Sequence, residues 1–192
     1  MTIPADHPKI KPAKIGVILA NLGTPDATDY WSMRKYLSQF LSDKRVVDYS
    51  AWLWQPLLQG IILTRRPFSS GKAYRSIWNN ELNESPLLTT TRLQANAVKK
   101  EVEKIYGNDV IVNFAMRYGN PSTESVIKNL KDQGVEKIVF FPLYPQYAGP
   151  TTATANDEAF RTLMKMNWQP SIRTVAAYFD NPLYINALAN SV

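Results

Sequence analysis

The sequence has no cysteine and one histidine, His7, among its 192 residues. Without thiols this stretch can form no disulfide, no thiolate metal site and no cysteine-ligated iron–sulfur cluster, which fits a reducing cytoplasm. His7 lies in a proline-flanked N-terminal stretch, where an inert surface residue is expected. With no second histidine, a transition metal would have to rely on carboxylates and carbonyls, so no metal site is expected. No apolar run approaches the roughly 18 residues a membrane span needs. Residues 1–12 contain no apolar segment of the secretory-signal kind, so no leader is expected. Internal repeats and low-complexity tracts are missing too. Neither a G-x-G-x-x-G turn nor a P-loop lysine occurs, so nucleotide binding has no motif behind it.

What is present describes a globular chain. Hydrophobic residues make up 45% and charged residues 20%, a balance that can bury a core and excludes a disordered protein. The formal net charge of +6 favours an anionic partner: nucleic acid, anionic lipid, or a small molecule with carboxylates or phosphates. Nucleic acid is not expected, because no recognised motif and no basic stripe with stacking aromatics is found.

Residues 1–13, with three prolines and little periodicity, are expected to be a flexible N-terminal arm. The apolar run 15–20, closed by turn residues at 21–25, reads as a buried parallel strand. Met33, Tyr36, Leu37, Phe40 and Leu41 mark one face of a helix, and Trp54, Leu57, Leu58, Ile61 and Ile62 repeat that spacing. A third helix is predicted from 90 to 106, striped by Ala95, Val98, Val102 and Ile105 and ended by Gly107. A strand is expected at 110–115. Asn120 and Pro121 then offer a cap and a first-turn proline for a helix that Gly134 closes. Strands at 137–143 and 171–175 flank a helix at 153–166. Asp180, Asn181 and Pro182 start a last helix that meets no stop signal before Val192, which reads either as a chain cut inside a larger protein or as a natural C-terminal helix that frays.

Strands alternating with helices predict an α/β fold, a Rossmann-like lobe with a mostly parallel sheet. Ligands of such sheets lie beyond the carboxyl ends of the strands. Segments 21–25, 116–121 and 144–154 occupy that position. Gly23 permits a close backbone approach there, to a ligand or simply within a turn. Arg65 and Arg66 read either as cations at a helix C-terminus or as a fork for a carboxylate. Ser85 is expected in a turn with a free hydroxyl. Arg117, directly after a strand, serves either a ligand or an ion pair. Tyr144 and Tyr147, with Thr151 and Thr152, suggest a stiff hydrogen-bonding wall. Trp31, Trp52, Trp54, Tyr30, Tyr36, Tyr49 and Phe40 crowd one stretch, either as core or as an exposed lip, with Lys35, Lys44 and Arg45 interleaved.

Six segments in a fixed order carry a resemblance. They are Leu-x-Asn-Leu-Gly-Thr-Pro at 19–25, Tyr-Leu-Ser-Gln-Phe-Leu-Ser-Asp at 36–43, the stretch 66–74, and Ser-Pro-Leu at 85–87. Phe-Ala-Met-Arg-Tyr-Gly-Asn-Pro at 114–121 and Phe-Pro-Leu-Tyr-Pro-Gln-Tyr at 141–147, followed by Thr151 and Thr152, complete the set. Together they resemble the ferrochelatases. The resemblance implies the first of two chelatase-like lobes over residues 14–192, an aromatic lip over about 30–66, and a second lobe that is not in this chain. It implies insertion of Fe(II), a substrate, into protoporphyrin IX to give protohaem, the last step of haem synthesis, with no bound cofactor. Leu22 matches a residue beneath the porphyrin. Arg66, Tyr74 and Ser85 match positions that hold the porphyrin and its propionates. Arg117 and Tyr118 match a pair lining the cleft, and Tyr147 belongs to the same wall. The family's metal-handling histidine, in a His-Ser-Leu-Pro-like segment, and its glutamate match no position here, so no catalytic residue is assigned and this chain alone is expected to be inactive. Ala148, Gly149 and Pro150 stand where relatives often carry serine and cysteine. The expected partners are a porphyrin and, through the lip, the inner face of the cytoplasmic membrane. Two other readings stay open: a non-catalytic lobe binding an anionic tetrapyrrole, and a ferrochelatase relative using another metal or porphyrin.

Overall fold

The computed structural model describes residues 13–191. The expected arm, apart from Ala13, lies outside the described residues, and so does His7. The order of elements is β1 (Lys14–Thr24), α1 (Tyr30–Leu41), α2 (Ala51–Leu57), α3 (Leu63–Ile77), α4 (Pro86–Tyr106), β2 (Val110–Gly119), α5 (Thr123–Asp132), β3 (Val135–Pro142), α6 (Thr154–Met164), β4 (Ser171–Thr174) and α7 (Pro182–Ala189). The sheet is four-stranded in the order β2-β1-β3-β4, and every pairing is parallel. The chain is therefore α/β, with the alternation that the apolar runs predicted.

Two cores form on this sheet. Ile18, Ala20, Ala115, Ile138 and Phe140 pack against Ile127 and Leu130 of α5 and Ala159 of α6, all essentially sealed from solvent. A second cluster joins Met33, Tyr36, Leu37 and Leu41 of α1 to Leu58, Leu63 and Tyr118. Burying residues of this size is the main favourable term in folding, about 1.5–3 kcal/mol for each large apolar side chain.

Several local expectations are corrected. α4 starts at Pro86, not near Thr90, because the Ser85 hydroxyl accepts the Leu88 amide at 3.2 Å and proline fits the first turn. Asn120 is not the cap of α5. The Asn120–Pro121 peptide is cis, and the cap is Ser122, whose hydroxyl accepts the Ser125 amide at 3.2 Å. Arg65 and Arg66 do not end a helix; they lie inside α3. Helical backbone runs on from α2 through a π-helical turn at Leu58–Ile62 into α3.

That turn explains why the apolar spacing of 54–62 misread its own face. Leu58 is buried, but the next buried residue is Leu63, five positions on, then Pro67 and Gly71 at intervals of four. The wider turn adds one residue and rotates the later helix, so Ile61 faces solvent, as Leu57 ahead of the turn does. Pro67 has no amide to give the Leu63 carbonyl. That oxygen instead accepts the Tyr30 hydroxyl at 3.1 Å and Arg34 Nη1 at 2.7 Å, which tie α3 to α1. The stripe of α4 is also only partly covered: Ala95 is buried, while Ile105 is exposed.

Candidate functional site

The carboxyl ends of the strands are more ordered than turns would be. Segments 21–25 and 116–121, expected as loops, hold the last rungs of β1 and β2, with Gly23 opposite Tyr118 and Thr24 opposite Gly119. Gly23 has φ 109°, and a Cβ there would lie 1.8 Å from the Tyr118 carbonyl oxygen. Gly119 has φ 83°, and a Cβ there would lie 2.3 Å from the Thr24 carbonyl oxygen. The close approach that Gly23 allows is thus to the neighbouring strand, and a ligand is not what requires it.

Above these rungs stands an aromatic wall. Leu22, Tyr74 and Tyr118 pack in the same cluster with Tyr36 and Phe40. The Tyr36 and Tyr74 rings are 6.2 Å apart edge to face, and Phe40 meets Tyr118 at 5.2 Å in the same manner. Tyr36 donates its hydroxyl to the Gly23 carbonyl at 3.3 Å. Burial pushes the Tyr36 phenol far above its usual range and the Tyr118 phenol up to about 12, so both stay protonated donors at neutral pH.

Arg117 and Tyr118 are not free. Tyr118 enters the α1–α3 cluster, and Arg117 reaches α6 with its guanidinium over the Tyr118 ring, 4.4 Å from the ring centre. Asp43, just past the end of α1, takes both. It accepts Arg117 Nη2 at 2.6 Å and the Tyr118 hydroxyl at 2.9 Å, along with the Thr154 hydroxyl and the Arg45 amide, the latter at 2.8 Å. Arg117 Nε donates to Thr154 Oγ1 at 2.7 Å, and Nη1 lies 3.4 Å from Glu158. The side chains of Arg117 and Asp43 are 11% and 10% exposed, so this ion pair is largely desolvated. Burial opposes ionisation of Asp43, but hydrogen bonds from Thr154, the Arg45 amide and Tyr118, with the charge of Arg117, hold its carboxyl below the usual range.

The remaining expected residues make no hydrogen bond to Asp43 or Arg117 among the described residues. Ser85 is buried as the cap of α4, so its hydroxyl already serves the Leu88 amide and is not free. Tyr147 is 64% exposed on the loop after β3. Arg66 is exposed and forms no ion pair among the described residues. The aromatic stretch divides in two. Tyr36 is core, and Trp54 is half-buried with its indole N–H on the Leu41 carbonyl at 2.7 Å. Trp31 and Trp52 are 72% and 74% exposed, and Leu53, Ile61 and Phe68 are exposed as well. From Tyr49 to Ile77 the sequence holds Arg65, Arg66, Lys72 and Arg75 and no acidic residue.

Asp43, Thr154 and Glu158 were not singled out from the sequence. A buried arginine demands a carboxylate, but nothing in the spacing says that the partner is 74 residues earlier.

Fold and site together define an α/β lobe with an apolar, phenol-lined wall beyond its strand ends. The ferrochelatase family model matches residues 14–192. The chain is 62% identical to the ferrochelatase of Rhodobacter capsulatus over 190 residues, which cover 98% of this chain and 54% of that protein. It is 57% identical to the ferrochelatase of Allorhizobium ampelinum and 56% to that of Agrobacterium fabrum, in each case over 99% of this chain and 55% of the relative. The chain belongs to the ferrochelatase family, and it spans about half the length of the curated relatives it matches.

Proposed function

We propose that this chain forms one wall of a porphyrin site in a protein that inserts Fe(II) into protoporphyrin IX to give protohaem. The observation that supports this most is the convergence of Leu22, Tyr74 and Tyr118 in one cluster at the strand ends. A macrocycle is a broad apolar disc, and half-buried Leu22 and Tyr74, backed by the sealed Tyr36 and Tyr118 rings, offer it a stiff surface. The two propionates need cations. Arg66 is exposed and has no ion-pair partner among the described residues, whereas Arg117 is already paired. The general base that accepts the pyrrole protons, and the groups that hand over Fe(II), fall to the family's histidine and glutamate, which match no position in these 192 residues. This half contributes binding energy remote from the nitrogens, which can be used to bend the ring.

A second contact is favoured by the outward side of α1–α3. Exposed Trp31, Trp52, Leu53, Ile61 and Phe68 with uncompensated cations suit an anionic bilayer surface. Among the described residues no helix is long and apolar enough to cross a membrane, so the contact we infer is peripheral.

Porphyrin titration followed by tryptophan quenching tests the first reading. The chain should bind saturably, and Leu22→Asp should abolish binding at temperatures below its own melting transition, which the half-buried carboxylate lowers. Binding that is unaffected by Leu22→Asp would remove the wall from this position. The chain alone should not form zinc porphyrin above the uncatalysed rate.

A further inference from the structure

We propose that Asp43 is a positioning residue: with Glu158 it occupies the guanidinium of Arg117 and sets the Tyr118 phenol, so that this pair shapes the wall without binding a carboxylate. The inference rests on the tetrapyrrole reading only for what the wall faces; the pairing itself stands on geometry.

A guanidinium binds a carboxylate best through two parallel N–H groups. In Arg117 all three nitrogens are already engaged: Nε by Thr154, Nη2 by Asp43 and Nη1 by Glu158. Its single positive charge faces two carboxylates, of which Glu158 is shared with Arg161. An arriving propionate would meet those carboxylates, and to take Arg117 it would have to strand Asp43 in a site that is 10% exposed. The shallow cleft that reaches the cluster is lined further by Gln39, Ser42, Lys44, Arg45, Asp157 and Arg161, and Arg45 is itself paired with Asp157.

Asp43 also joins three elements at one carboxylate. It follows α1, receives the Tyr118 hydroxyl and the Arg117 guanidinium from the end of β2, and accepts Thr154 from the first position of α6. The orientation of Tyr118 within the wall is therefore set from behind. Its hydroxyl is donated to Asp43 and its ring edge stands against Phe40.

The test observes the Arg117 Nε–H in arginine-edited 15N spectra of the chain, assigned by its loss in Arg117→Lys. It should exchange with solvent about tenfold or more slowly than exposed arginines, as a group released only by local opening. Asp43→Asn should collapse that protection. Should Asp43→Asn fail to fold, Thr154→Val, which removes the acceptor of this N–H, should collapse it as well. An unprotected Nε–H in the parent chain overturns the proposal. The second arm titrates mesoporphyrin and its dimethyl ester in detergent micelles. The Arg117 signal should respond equally to the two, and a shift specific to the diacid would make Arg117 an anchor and overturn the proposal. If neither porphyrin binds, the porphyrin reading fails, and the exchange arm still decides the role of Asp43.

Discussion

Arg117 and Arg66 carry the same group in opposite surroundings. Arg117 is 11% exposed, touches two carboxylates and a threonine hydroxyl, and sits at the junction of α1, β2 and α6. Arg66 is exposed in the middle of a helix with no acidic residue from Tyr49 to Ile77. The first spends its charge inside the fold, and the second leaves it available. The same division runs through the aromatics: Tyr36 and Tyr118 are locked by burial and hydrogen bonds, while Trp31 and Trp52 project into solvent. In this lobe, rigidity and availability belong to different layers of the molecule.

The largest effect expected from breaking that contrast is at Arg117. Arg117→Ala leaves Asp43 buried without its cation, and losing one partner of a buried pair costs about 3–5 kcal/mol. Arg66→Ala should change stability by less than about 0.5 kcal/mol, as surface substitutions do. Urea denaturation of the two variants checks the ordering, and an Arg117→Ala midpoint equal to that of Arg66→Ala would mean that the cluster carries no stability. Next comes Gly23→Ala. The backbone conformation alone costs about 1–3 kcal/mol, and the clash with the Tyr118 carbonyl adds to it. The same melts should place it clearly below the parent chain.

A smaller and graded effect is set by pH. The carboxyl of Asp43 is held below its unfolded value of about 3.9. A group depressed in this way stabilises fully above the unfolded value, and the contribution is lost as pH falls through the folded one. Stability owed to Asp43 should therefore be constant from neutral pH down to the carboxylate range and decline below it. Asp29 and Glu124 are lowered as well, so the readout is the difference between the parent and Asp43→Asn. That difference should shrink only in acid, and one that shrinks on raising the pH from neutrality would have the wrong sign.

How much of this was legible in the sequence follows from how local each cause is. The strands showed as apolar runs, and the closing glycines Gly107 and Gly134 marked the ends of α4 and α5, whose serine caps Ser85 and Ser122 went unread. What failed depends on one residue or on distant pairs. A single extra residue in the turn at Leu58–Ile62 rephased α3. The mutual need of Gly23 and Gly119 appears only once the strands lie side by side. Arg117 could be read as an anchor or as an ion pair, and Asp43, which answers the question, stood unmarked at the end of a quoted motif. The resemblance brought Leu22, Tyr74 and Tyr118 to notice together, and the fold does gather them. It could not say that Ser85 would be a helix cap.

The smallest effect on stability should accompany a clear effect on binding, and it concerns the exposed layer. Trp52 is 74% exposed and packs in neither core. Removing it takes little apolar area out of any buried contact, so Trp52→Ser should leave the melting curve within about 0.5 kcal/mol of the parent. An interfacial tryptophan, by contrast, contributes where one end is apolar and the other wet. The parent chain should bind vesicles containing anionic phosphatidylglycerol with a blue shift of tryptophan emission, weaker at high salt because the cations of α3 are solvent-exposed. Trp52→Ser and Arg66→Ala should each weaken that binding severalfold, and the salt dependence should fall for Arg66→Ala alone. Equal salt dependence in the two variants would show that Arg66 is not near the lipid surface. Unchanged binding in Trp52→Ser would return the outer face of α2 to plain solvent exposure.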